Sequence, residues 1–228
     1  NLYHYGGVGH LVMDYERLMK EGFDGMIRRA EEGLAKLTKK DPDFAVKREF
    51  YDAVLICHKA AKKYIARYEA LAREKAAEEA DPKRKAELLA MADMASTMME
   101  QPARSFWEGC EVCYMVHMLQ MIESNGHSFC YGRFDQYMYD LYEKDIASGK
   151  ISKEKALEYI IHMFLMNSTN NKVRGYGHTK FSQGYPLYSN LVVGGYKKDG
   201  TDGTNDLSYL CVEAMNMTAM AEPNFSMR

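Results

Sequence analysis

The chain has 228 residues, 46% of them hydrophobic, and a formal net charge of −2. This apolar content is sufficient for a folded core, and the interspersed acids and bases offer no basic face to a nucleic acid. No segment approaches the roughly 20 consecutive apolar residues of a membrane-spanning helix, the start lacks a signal-peptide pattern, and the five cysteines have no disulfide-framework spacing, so we expect a reduced, cytoplasmic protein.

The first half of the chain is predicted to be helical. Apolar residues recur at intervals of three and four, which predicts helices over 14–37, 44–79 and 83–100. Asp81-Pro82 separates the second helix from the third, because proline lacks an amide donor and suits a first helical turn. A fourth helix, over 103–124, has almost no polar side and should therefore be buried.

The second half mixes helices with loops and little strand. Helical spacing resumes at Arg133, and Ser152 can cap another helix. Residues 168–188 are rich in Asn, Gly, Ser and Tyr, which predicts a loop that lines a cavity. Three local signals follow: a strand at residues 191–193, a turn at Asp199-Gly200 and a helix cap at Asn205.

Two cysteines and a histidine share one face of the fourth helix. Cys110, Cys113 and His117 are spaced by three and four residues and could bind a metal. A structural zinc site normally needs four ligands, and no further Cys pair or nearby His completes this one. We therefore expect no metal here and interpret both cysteines as small core residues.

The segment 125–139 is the most informative one, because it combines polar side chains with glycines and aromatics between two helical runs. Buried charged groups need partners. In a structural interpretation, Gly126 ends a helix and Arg133 and Asp135 serve as structural polar groups. In a functional interpretation, His127 and Ser128 occupy a loop and face a cavity. Both interpretations remain open at this point.

Several motifs, taken in order, resemble one enzyme family. They are Gly7-Val8-Gly9-His10, Asn125-Gly126-His127-Ser128 with Gly132-Arg133-Phe134-Asp135, the run at 190–195, and the run at 222–228. This set resembles the glycyl radical enzymes, which include pyruvate formate-lyase, diol dehydratases, choline lyase and arylacetate decarboxylases. The resemblance implies an α/β fold, a ten-stranded barrel wrapped by helices. It also implies that residues 1–228 are a predominantly helical part, with few short strands, of a single larger domain.

The resemblance also implies a substrate site. In the dehydratases of this family, residues matching His10, His127 and Ser128 hold the hydroxyl groups of a small diol, and Tyr185 is expected to line the cavity. Imidazole and hydroxyl groups each donate and accept hydrogen bonds, so they can orient neighbouring hydroxyls. The alternative is that both histidines merely bind backbone carbonyls.

The catalytic residues are expected outside this chain. The family's catalytic cysteine lies in a Gly-Cys-x-Glu loop downstream of the run at 190–195. Gly109-Cys110-Glu111 lies upstream and has its glutamate in the wrong place. We therefore interpret the chain as an internal fragment that lacks both the cysteine loop and the C-terminal glycine loop, has no catalytic residue of its own and is inactive alone.

The resemblance implies a radical dehydratase or lyase that removes a leaving group from a glycerol or propanediol type of substrate. Its cofactor would be a protein glycyl radical, installed by a separate S-adenosylmethionine activating enzyme. The resemblance also implies that the enzyme is a homodimer. Alternatives within the family are an arylacetate decarboxylase, a choline-type C–N lyase and a formate acetyltransferase-like C–C lyase. His10 favours hydroxyl groups over a quaternary ammonium. An alternative from another class is a helical scaffold protein that uses residues 43–100 as its surface.

Overall fold

A computed structural model describes residues 9–124, 127–170, 175–181 and 187–228. Backbone contacts divide the chain into two compact units. The first comprises Asn1–Glu16 with Arg104–Arg228, and the second comprises Arg17–Ala103. In the described part of the chain, none of the helices is both long enough and apolar enough to cross a membrane.

The second unit is built from three helices, as predicted. They are α1 (Tyr15–Lys36, which begins in the first unit), α2 (Phe44–Glu78) and α3 (Pro82–Glu100). The Asp81 side chain accepts a hydrogen bond from the Lys83 amide at 3.0 Å and so caps α3, while Pro82 fills the first helical position.

The first predicted helix is not continuous. Gly22, inside α1, has φ 66° and ψ 178°, so two helical segments meet at a kink. A Cβ added at Gly22 would lie 2.6 Å from the carbonyl carbon of Gln101. The close backbone approach and the positive φ both require glycine, and apolar spacing could not reveal either of them.

The apolar face predicted on α2 is only partly covered. Ile65 is fully buried, whereas Phe50 is 63% and Ile56 is 68% exposed. Helix α3 packs on α2 but has 19 residues against 35, so within this unit it cannot cover the whole length of its neighbour.

The first unit contains all the strands of the described residues, and each strand pair is parallel. Strand β1 (Leu11–Val12) pairs with β2 (Phe129–Cys130). A second sheet has the order β3–β4–β5 and consists of Gly132–Arg133, Asn190–Val193 and Asn224–Met227. The sequence predicted only β4. Strands β1, β2 and β3 have two residues each, too few to show a hydrophobic alternation, whereas β5 alternates polar and apolar residues over four positions and was overlooked.

The described residues of this unit also contain six helices that begin after Ala103. They are α4 (Phe106–Ser124), α5 (Phe134–Tyr137), α6 (Tyr139–Ala147), α7 (Lys153–Ser168), α8 (Tyr176–Phe181) and α9 (Asp206–Thr218). The predicted burial of α4 is confirmed for Phe106, Cys113 and His117, which are inaccessible to solvent. Ser152 caps α7 and Asn205 caps α9, both as predicted.

Helix α8 corrects the prediction that residues 168–188 form a loop throughout. It spans only six residues and includes Gly177. A segment of this length is too short for helical periodicity to appear in the sequence, and glycine argues against a helix on propensity.

Candidate functional site

The side chains of Arg133 and Asp135 fasten the turn that follows β4. Arg133 donates to the carbonyl oxygens of Gly194, at 2.7 Å from Nη2, and of Tyr196, at 2.9 Å from Nη1. Asp135 is fully buried and accepts hydrogen bonds from the Gly194 amide at 2.7 Å and from the Ser208 hydroxyl. The structural interpretation is therefore confirmed for these two residues.

His10 and His127 are brought into contact by the pairing of β1 with β2. The His10 amide donates to the His127 carbonyl oxygen at 2.8 Å. The two imidazole rings lie edge to face, with centroids 5.1 Å apart and an interplanar angle of 77°. A Cβ added at Gly9 would lie 2.3 Å from the same carbonyl oxygen, so only glycine allows this approach.

Three residues at this contact have a left-handed backbone although none of them is glycine. The φ angles are 58° at His10, 59° at Ser128 and 53° at Tyr188. This conformation is uncommon outside glycine; each instance costs on the order of 1–3 kcal/mol and persists only where the surrounding structure enforces it. Backbone hydrogen bonds from Leu11 to Ser128 and from Ser128 to Leu187 hold the three segments together.

Tyr188 contacts His127, although the sequence analysis did not select it. Its ring packs edge to face on His127, with centroids 4.9 Å apart, and 43% of the residue is exposed. The sequence analysis chose Tyr185, which lies outside the described residues. Both tyrosines belong to the same aromatic-rich run, and nothing in the local pattern distinguishes them.

The side chain of Glu222 is hydrogen-bonded to the backbone of Tyr188. Its carboxylate accepts hydrogen bonds from the amides of Tyr188 at 2.7 Å and of Ser189 at 2.9 Å. Only 2% of Glu222 is exposed. Burial raises the pKa of this carboxyl group, and the backbone hydrogen bonds oppose the rise. In the sequence, this glutamate appeared only as part of the run 222–228.

Cys113 and His117, on the same face of α4, contact different residues. His117 Nε2 lies 3.1 Å from the Ser189 hydroxyl, and its ring stacks on Tyr131 with centroids 4.7 Å apart. Cys113 Sγ lies 3.7 Å from the Tyr137 hydroxyl, and burial raises the pKa of this thiol to about 12. Within residues 9–124, 127–170, 175–181 and 187–228, no group of three or more His, Cys, Asp or Glu side chains is arranged to hold a metal.

The candidate site therefore consists of His10, His127 and Tyr188 in one row of rings, with Ser128, which directly precedes β2 and is 8% exposed. The structure brings together three of the four residues proposed from sequence. That they bind a substrate stays a prediction. Their chemistry suits hydroxyl-bearing molecules, because imidazole and hydroxyl groups both donate and accept hydrogen bonds.

Comparison with known proteins identifies the family. The pyruvate formate lyase-like family model matches residues 1–228. The chain is 43% identical over 225 residues to the (2S)-3-sulfopropanediol dehydratase of Klebsiella oxytoca, covering 98% of this chain and 27% of that protein.

Two solved structures have the same fold. The glycerol-bound form of the B12-independent glycerol dehydratase from Clostridium butyricum matches with a TM-score of 0.92 and 41% identity, over 100% of this chain and 28% of that one. A structure describing 1,2-propanediol dehydration in Roseburia inulinivorans matches with a TM-score of 0.94 and 37% identity, over 98% and 28% of the two chains.

The chain thus spans little more than a quarter of the length of these relatives. Its helix-rich α/β structure, with few short strands, agrees with the fold expected from the sequence. Because the family model covers the whole chain, the chain belongs to the pyruvate formate lyase-like family of glycyl radical enzymes.

Proposed function

We propose that the full-length protein containing this chain is a glycyl radical dehydratase or lyase that removes a leaving group from a small hydroxylated substrate of the glycerol or propanediol type. The observation that carries this proposal is the contact of His10 with His127 beside Ser128, on a left-handed backbone. Strained backbone persists where the surrounding structure enforces it, and it is concentrated at functional sites. The similar proteins described above are a dehydratase of a sulfopropanediol, a dehydratase of glycerol and a protein dehydrating 1,2-propanediol.

The role of this chain in the reaction is to hold the substrate. Two imidazole rings and one hydroxyl can each donate to one substrate oxygen and accept from another. Held in this way, adjacent hydroxyl groups are fixed in orientation while the carbon-bound hydrogen stays free of the protein. Loss of water from a 1,2-diol forms an aldehyde, and these side chains would keep both hydroxyl groups oriented while the water departs.

The remaining machinery belongs to the rest of the protein. A glycyl radical, installed by an S-adenosylmethionine activating enzyme, would provide the radical chemistry that removes a hydrogen atom from the substrate. Residues 1–228 would form part of one larger catalytic domain, in which Tyr185 also lines the substrate cavity. The full-length protein would be a homodimer located in the cytoplasm. The isolated chain is expected to be inactive.

The family match over the whole chain supports an enzyme over a helical scaffold, because it includes the charged helices α2 and α3. Within the family, the exposed imidazole of His10 beside His127 supports hydroxyl recognition over recognition of a quaternary ammonium.

The proposal is tested with the full-length protein, activated under anaerobic conditions and assayed for aldehyde production. The substrates are glycerol, both enantiomers of 1,2-propanediol and (2S)-3-sulfopropanediol, with choline and 4-hydroxyphenylacetate as representatives of the alternatives. Conversion of at least one diol is expected. His10→Ala and His127→Ala should each lower kcat/KM by about 100-fold or more, as is typical for the loss of a group that positions or protonates a substrate. Turnover of choline or the arylacetate without any diol would refute the proposal.

A further inference from the structure

We propose that Glu222 is a positioning residue for His127 and that it acts through the segment 187–189. This inference rests on the proposed function, since it assigns a purpose to the orientation of the His127 ring. Glu222 itself does not face the imidazole. Its effect is transmitted by the backbone of Tyr188, whose ring packs on His127.

The carboxylate of Glu222 accepts two successive amides, one on each oxygen. The Tyr188 amide lies 2.7 Å from Oε1 and the Ser189 amide lies 2.9 Å from Oε2. A left-handed residue turns neighbouring N–H groups toward a common point, and the resulting concavity suits an anion. The φ of 53° at Tyr188 is therefore matched to the carboxylate that the two amides face.

The segment 187–189 is also fastened on its other side. The Leu187 carbonyl oxygen accepts the Ser128 amide at 2.8 Å, and Leu187 is buried. The Ser189 hydroxyl lies 3.1 Å from Nε2 of the fully buried His117. With both flanks held, the Tyr188 backbone has little freedom, and its ring stays edge-on against His127 with centroids 4.9 Å apart.

Glutamate is required at this position rather than glutamine. An amide side chain has one oxygen acceptor, and its NH₂ group would face one of the two backbone N–H groups. Glu222→Gln therefore removes one hydrogen bond and places two donors against each other, while keeping the size of the side chain. The segment should then relax, and the Tyr188 ring should move off His127.

The test uses the full-length activated enzyme and three variants: Glu222→Gln, Tyr188→Ala and the control Asp145→Asn. Asp145 is also a buried carboxylate that accepts a backbone amide, that of Phe106 at 2.8 Å, but it caps α4 and makes no contact with the row of rings. Glu222→Gln is expected to raise KM for the diol about tenfold, the effect of weakening one substrate hydrogen bond. Tyr188→Ala should do the same, and it keeps the test valid if the glutamate variant does not fold.

The KM value distinguishes a variant that mispositions His127 from a variant that is merely less stable. A variant that only loses folded enzyme lowers the apparent kcat and the radical yield but leaves KM unchanged, and this is the result expected for Asp145→Asn. An unchanged KM in Glu222→Gln and Tyr188→Ala would overturn the proposal.

A second readout does not depend on the substrate. In the unliganded protein, Glu222→Gln should speed hydrogen exchange in a peptide covering the Tyr188 and Ser189 amides, and it should raise the modification of His127 by diethyl pyrocarbonate. If the wild-type enzyme converts no diol, the proposed function fails, and these two measurements still decide the role of Glu222. Unchanged exchange and unchanged labelling refute it.

Discussion

Gly9→Ala is the substitution that tests the site most directly, because it removes none of the candidate substrate-binding side chains and changes only the backbone contact that positions them. The new Cβ would lie 2.3 Å from the His127 carbonyl oxygen, a distance that must open to at least 3.0 Å. The hydrogen bond from the His10 amide to the same oxygen, now 2.8 Å, cannot survive this opening unchanged. His10, the next residue, is therefore displaced from His127.

The magnitude follows from the geometry. Strand β1 has two residues, and Val12 is 59% exposed, so the strand can shift without disturbing the core. Loss of one backbone hydrogen bond destabilises the protein by about 1 kcal/mol. A displacement approaching about 1 Å at a substrate-positioning group can reduce the rate by about 100-fold, which corresponds to about 2.7 kcal/mol. We expect a small change in Tm and a large loss in kcat/KM.

The assay is diol dehydration by the full-length activated enzyme, with the glycyl radical quantified by electron paramagnetic resonance. Gly177→Ala is the matched control. It is the same substitution, but the Cβ would meet nothing within 4 Å, and its φ lies outside the positive range. The control should retain activity, radical content and Tm.

Two results would refute the reasoning. If Gly9→Ala retains wild-type kcat/KM, the contact between His10 and His127 has no part in turnover. If it loses activity only in proportion to its radical content, the defect lies in activation and not in the substrate site.

Four further predictions concern stability and reactivity. Asn205→Ala removes the cap of α9 and should lower the free energy of unfolding by about 1 kcal/mol, measured by urea denaturation. Asp135→Ala leaves the buried amide of Gly194 without its carboxylate acceptor and should cost about 1–3 kcal/mol in the same assay. Burial raises the pKa of Cys113 to about 12, above an unfolded value of about 8.5. The contribution of the buried, protonated thiol to stability is therefore complete below about pH 8.5 and is lost as the pH rises toward about 12. The free energy of unfolding, measured by urea denaturation, should be lower at about pH 10 than at about pH 8. At pH 8, iodoacetamide should modify the exposed Cys57 and leave Cys113 unmodified, as measured by peptide mass spectrometry.

Most helices could be predicted from the sequence, because periodicity and caps are local. Apolar spacing predicted α1 to α4 and α7, and the caps Ser152 and Asn205 lie where they were expected. The kink at Gly22 was missed, since it depends on the distant backbone of Gln101. Four of the five described strands were also missed: three have only two residues and leave no periodic trace, and the four-residue alternation of Asn224–Met227 was overlooked.

By itself, the sequence determined the family, the helical framework and the candidates His10, His127 and Ser128. Tertiary structure alone decided that the two histidines touch, through the parallel pairing of β1 with β2, and that Tyr188 packs beside them. It also assigned the buried carboxylate of Glu222 to the backbone of 188–189. The physical reason is that helix signals repeat within a few residues, whereas these contacts join segments that only the folded chain brings within hydrogen-bonding distance.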